Sequence, residues 1–277
     1  MVPNLTLIFC LITLAVCLVL PVVVILVLSL KNKGKKLPSA WLLGAAGFFV
    51  TQMVIRLPIL TALQSQPWFV SFSENNGFLF AFMLAFTAGL FELAGRFVVA
   101  KLMSRNLTYK RSLAAGLGHG GIEAMLLIGL TYINNIAYIV MINSGTFDTV
   151  VAQAAQSGVD VSTLWQIKEQ FLQASPALFL LGGFERILAM TGHVAMSLIV
   201  CYGVATGSPW KSALICLGIH TLMDLTAGIS LLIGKGLSQT AAYVIIYAIL
   251  TVTAGISILL IRKIHRRWQE TEGTYDL

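Results

Sequence analysis

Seven stretches of this chain, 5–30, 40–63, 78–102, 112–142, 176–205, 211–233 and 239–262, are almost continuously apolar. A hydrocarbon core of about 30 Å takes roughly 20 residues at about 1.5 Å each. Each stretch is therefore long enough to span a bilayer, and the fourth to extend beyond it. Only 10% of the residues are charged, against roughly 25% in a soluble domain, so no water-facing surface can be assembled. The solvent is lipid. The expected fold is all-α, a polytopic transmembrane bundle of about seven helices in the cell membrane, with residues 1–277 as one transmembrane domain. The first run lacks a basic leader and exceeds a signal-peptide core, so it reads as a retained helix.

The basic residues give an orientation. Lys31, Lys33, Lys35 and Lys36, then Lys101, Arg105, Lys110 and Arg111, then Arg262, Lys263, Arg266 and Arg267 form three clusters beside apolar runs. With Lys211 they fall on one side of a seven-span alternation, leaving Lys168 and Lys235 on the other. By the positive-inside rule the N-terminus is outside and the C-terminus cytoplasmic. The net charge of +7 thus serves topology, and nucleic acid is not an expected partner. The partners implied are the lipid bilayer and a membrane protein or peptide. The outer loop, about 143–175, carries Leu164, Ile167 and Phe171 at helical spacing with Trp165 and Leu172 alongside. That pattern fits a helix on the outer interface or a lid packed on the bundle. Cys10, Cys17, Cys201 and Cys216 sit inside apolar runs and read as small buried hydrophobes.

Charge inside a membrane helix costs about 2.5–3.5 kcal/mol by insertion scales, so it faces the protein interior and marks function. Glu92, Arg96, Glu123, Glu185, Arg186 and Asp224 lie within spans, with His119, His193 and His220. Arg56 is expected to snorkel toward an interface. Glu92 and Arg96, His119 and Glu123, and His220 and Asp224 are i,i+4 pairs on shared helix faces. A carboxylate so placed can accept an imidazole N–H and fix its tautomer. Counted at about 1.5 Å per residue from the expected cytoplasmic ends, Glu92, His119, Glu123, His193, His220 and Asp224 fall in one slab about 12–20 Å deep. Glu185 and Arg186 lie nearer the outer side. The bland alternative is a set of buried ion pairs that fix helix register. The run GLGHGGIEA surrounds His119 with glycines, which provide either close helix packing or room for substrate or water.

Four segments in order, FELAGR (91–96), GLGHGGIEA (116–124), FERILAMTGHVAMS (184–197) and HTLMD (220–224), resemble the YhfC family of intramembrane proteases, grouped with the PrsW proteases and CAAX-type prenyl endopeptidases. The resemblance covers a motif-bearing core of about 80–225. It implies that Glu92 and Arg96 match the first acid and the base of an EExxR motif, with Leu93 where related groups carry the second acid. Glu123 matches the second motif, with His119 one turn before it. His220 and Asp224 match HxxxD, and His193 a histidine of the YhfC pattern.

The expected activity is an intramembrane endopeptidase. Its preferred form is glutamic, without cofactor: Glu92 or Glu123 activates water, because a desolvated carboxylate is a stronger base. His220, oriented by Asp224, and His193 donate to the oxyanion or the leaving amine, and Arg96 holds Glu92. The alternative is a zinc enzyme with His193, His220 and one of Glu92, His119 or Glu123 as ligands. A proton-coupled transporter would use the same buried cluster as a relay, and a catalytically silent partner protein would keep it as structure.

Overall fold

Lipid offers no hydrogen bonds, so each crossing backbone must pair its own N–H and C=O groups within a helix. The computed structural model, which describes residues 1–233 and 236–273, meets that demand throughout. Among the described residues seven helices are long and apolar enough to cross a membrane. In chain order the helices are α1 (Asn4–Lys31), α2 (Leu37–Gln64), the short α3 (Pro67–Asn75), α4 (Gly77–Leu102) and α5 (Tyr109–Ser144). Two short helices follow, α6 (Thr146–Gln156) and α7 (Ser162–Gln173), then α8 (Pro176–Ala205), α9 (Pro209–Ile229) and α10 (Gln239–Gly273). Every expected span is present. The last runs beyond the apolar stretch because RKIHRRWQE continues it with good helix formers and no glycine or proline. Lys235, counted with the outer loops above, lies outside the described residues.

Two spans change their winding. Phe49–Arg56 inside α2 and Ala124–Gly129 inside α5 are π-helical, with one more residue per hydrogen-bonded turn than the α-form. Both segments adjoin polar residues described below.

Contacts divide the chain into two compact units, Met1–Pro21 with Ala124–Ile187, and Val22–Glu123 with Leu188–Leu277. In the first, Cys10, Ile139, Phe147, Val151 and Phe171 form the buried centre. The connection expected on the outer side folds as two helices rather than one. Phe147 and Val151 supply the buried face of α6, and Leu164, Ile167 and Phe171 that of α7, leaving Trp165 exposed. Gly145, at φ 79°, ends α5 in a left-handed turn open to glycine. Glu185 and Arg186 pair with each other.

The second unit is held by close helix approach. A Cβ added to Gly44 would lie 1.9 Å from Ala115 O, and one added to Gly118 1.9 Å from Trp41 O. Helices α2 and α5 thus pack backbone on backbone. A Cβ added to Gly116 would lie 2.7 Å from Val194 Cα, and one added to Gly120 2.9 Å from His193 Cβ, so α5 also lies close against α8. These glycines of the GLGHGG run serve packing, and neighbouring helices fill the space beside them. From Ala189 to Cys201, α8 is buried nearly continuously. All four cysteines are free and buried.

Candidate active site

Glycine contacts, including Gly95 against Gly47 and Gly89 against His220, bring α2, α4, α5, α8 and α9 of the second unit close enough for their polar residues to meet. Glu92 on α4 is the centre, 3% exposed. Its Oε2 lies 2.9 Å from His119 Nε2, 2.7 Å from His220 Nε2 and 3.2 Å from Arg96 Nη1. A carboxylate oxygen offers about two lone pairs, and three nitrogens address this one.

A second chain of contacts passes through His193 on α8. Arg96 Nη2 lies 2.7 Å from His193 Nδ1. A guanidinium only donates, so Nδ1 accepts and the ring proton sits on Nε2. That nitrogen lies 2.8 Å from Glu123 Oε2, within ion-pair range. Glu123 is the more accessible acid, with 13% of its side chain exposed against 4% for Glu92. The aromatic neighbours fix the rings: Phe48 meets His119 edge-on at 5.4 Å, and His119 and His193 stack at 5.4 Å.

Asp224 stands 3.4 Å from His220 Nδ1, in ion-pair range but beyond a hydrogen bond, and its side chain is 40% exposed. Glu92, Arg96, His119, Glu123, His193 and His220 therefore converge, with Asp224 at the edge. Two polar residues join them that sequence reasoning passed over or misdirected. Gln52, buried in the π-segment of α2, donates to Glu92 Oε1 at 2.9 Å. Arg56 turns inward instead of snorkelling, donating to Leu84 O at 2.6 Å and to Gln52 Oε1 at 3.2 Å. The available signal was their i,i+4 spacing within an apolar run.

One atom from each of Glu92, His119, Glu123 and His193 lies within 4.8 Å of the others, the reach of a metal's donor set. Beside Arg96 and His119 is a small, partly open space of about 10 Å³, lined also by Gly44, Ala115, Ser197 and Cys201. That is room for about one water.

The family model described as YhfC intramembrane metalloprotease matches residues 16–248. The chain belongs to the YhfC family. Every residue of the cluster lies inside the matched span, which reaches beyond the motif-bearing core to include Gln52 and Arg56 on α2. Among curated proteins, the uncharacterized membrane protein YhfC of Bacillus subtilis (strain 168) is 37% identical over 158 residues, 57% of this chain and 58% of that one. The chain thus spans a little over half the length of that relative. No solved structure matches. The YhfC family is described as metallo, and this lends no support to the metal-free form preferred from the sequence.

Proposed function

We propose that the protein is a metal-dependent intramembrane endopeptidase acting on membrane-embedded or juxtamembrane peptide segments. The observation that carries this reading is the convergence of His119 Nε2 and His220 Nε2 on one oxygen of the buried Glu92. As plain hydrogen bonding that oxygen is oversubscribed, because Arg96 also addresses it. As a donor set the same atoms are consistent: two neutral imidazole nitrogens and a carboxylate oxygen suit zinc and leave a fourth position open. Glu92, His119 and His220 would hold the ion. Asp224 beside His220 Nδ1 would steady that ring, as carboxylates do behind metal-bound histidines.

The zinc form expected from the sequence has His193 as a ligand together with His220. A different role suits it better, since Arg96 occupies its Nδ1 and its Nε2 faces Glu123. Bound zinc would polarise the scissile carbonyl and make water acidic enough to attack at neutral pH. The protein's own residues manage the proton. A carboxylate oxygen of Glu123 takes it from the attacking water and returns it to the leaving amine. His193 Nε2 faces Glu123 Oε2 across 2.8 Å, and Arg96 against Nδ1 keeps the ring proton on that nitrogen. A substrate helix hides its carbonyls in hydrogen bonds, so the peptide must unwind locally before cleavage.

The test uses purified full-length protein and a membrane-peptide reporter. Cleavage should stop when a strong chelator strips the metal and return with added zinc. Cleavage that persists under chelation, with no stoichiometric metal, would instead favour the metal-free glutamic form. Gradient-driven uptake without cut peptide would favour a transporter.

A further inference from the structure

A glutamine buried in a membrane span must satisfy both ends of its amide, and Gln52 does so in only one orientation. Arg56 Nη1 donates to Gln52 Oε1 at 3.2 Å. Since arginine cannot accept, the oxygen faces Arg56 and the NH₂ group faces α4. There Nε2 reaches Ala88 O at 3.1 Å and Glu92 Oε1 at 2.9 Å, using both of its protons. Arg56 is itself anchored to Leu84 O at 2.6 Å and to Thr87 Oγ1 at 3.3 Å. Leu84, Thr87, Ala88 and Glu92 lie along one face of α4.

Gln52 and Arg56 both belong to the π-helical segment Phe49–Arg56. The helices approach closely just before it: a Cβ on Gly95 would lie 2.8 Å from Gly47 O. Glu92 Oε1 is the carboxylate oxygen that His119, His220 and Arg96 leave free. The final torsion of a glutamate is broad on its own, so a donor on Oε1 determines how the carboxylate plane is turned.

We propose that Gln52, aimed by Arg56 and by the π-helical turn carrying both, is a positioning residue that fixes the carboxylate of Glu92 so that Oε2 faces His119 and His220. The inference rests on the metal-binding reading of those three residues.

Zinc affinity of the purified full-length protein, measured by competition with a chromophoric chelator, tests it. Gln52→Met keeps the volume and removes the donor, and should weaken zinc about 10- to 100-fold. Arg56→Met should weaken it in the same direction, and Arg56→Lys, which can still donate, should recover part of the loss. Gln52→Asn, with the amide withdrawn by one methylene, gives the same reading if Gln52→Met does not accumulate. Wild-type zinc affinity in a folded Gln52 variant overturns the inference. A wild-type protein that takes up no metal contradicts the proposed function. The inference is then decided by the melting temperatures of Gln52→Met, Glu92→Gln and the double variant. Non-additive shifts uphold it and additive shifts overturn it.

Discussion

Glu92 and Glu123 are both acids in lipid, yet their surroundings assign them different work. Glu92 is enclosed by two imidazoles, a guanidinium and an amide, whereas Glu123 is more accessible and lies beside His193. Glu123→Gln should therefore leave zinc content unchanged while lowering kcat by roughly 10²–10⁴-fold, the usual contribution of a positioned base. Parallel metal analysis and single-turnover cleavage check this. Arg96→Met leaves Glu92 with less compensation and His193 without its fixed tautomer. Removing one partner of a buried pair costs about 3–5 kcal/mol, and the loss should appear as a lowered melting temperature. These acids and histidines were legible in the sequence because ionisable groups in lipid are expensive and rarely incidental. Gln52 was not, since a neutral amide interrupts an apolar run far less. The partner of Glu123 was also missed: i,i+4 spacing pointed to His119, but the tertiary fold brings His193.

The helices meet where glycine allows it. Gly118 and Gly44 let α2 and α5 touch through their backbones, and that contact carries Gln52 and His119 toward Glu92. Gly118→Ala forces a methyl against Trp41 O at 1.9 Å. It should cost about 3 kcal/mol or more, beyond the usual range for overpacking because backbone must move. Gly255→Ala, with nothing within 4 Å of the added carbon, should be near neutral. Thermal melting of the two variants makes the comparison. The glycine run was visible in the sequence, but whether it packed helices or made space needed the neighbouring helices. The π-segments Phe49–Arg56 and Ala124–Gly129 left no residue pattern of their own, because their winding answers to tertiary contacts. Helix α6 was hidden for a related reason: Phe147 and Val151 are too few to form a periodic stripe.

At the scale of the whole molecule, lipid makes the spans readable, since seven apolar runs leave the backbone no alternative to helices. From the charge clusters we propose an outside N-terminus, and the four buried cysteines give a quiet background for testing it. Asp160→Cys should react with a membrane-impermeant maleimide on intact cells, and Lys33→Cys only after permeabilisation; the reverse pattern inverts the topology. If Glu92, His119 and His220 hold a metal within the membrane, X-ray absorption at the zinc edge of the purified protein should report it. One zinc per chain is expected, with nitrogen and oxygen donors at about 2.0–2.2 Å, outer scattering from two imidazoles, and loss of that signal in Glu92→Gln. Sulfur ligands, or an unchanged spectrum in that variant, would rule the site out.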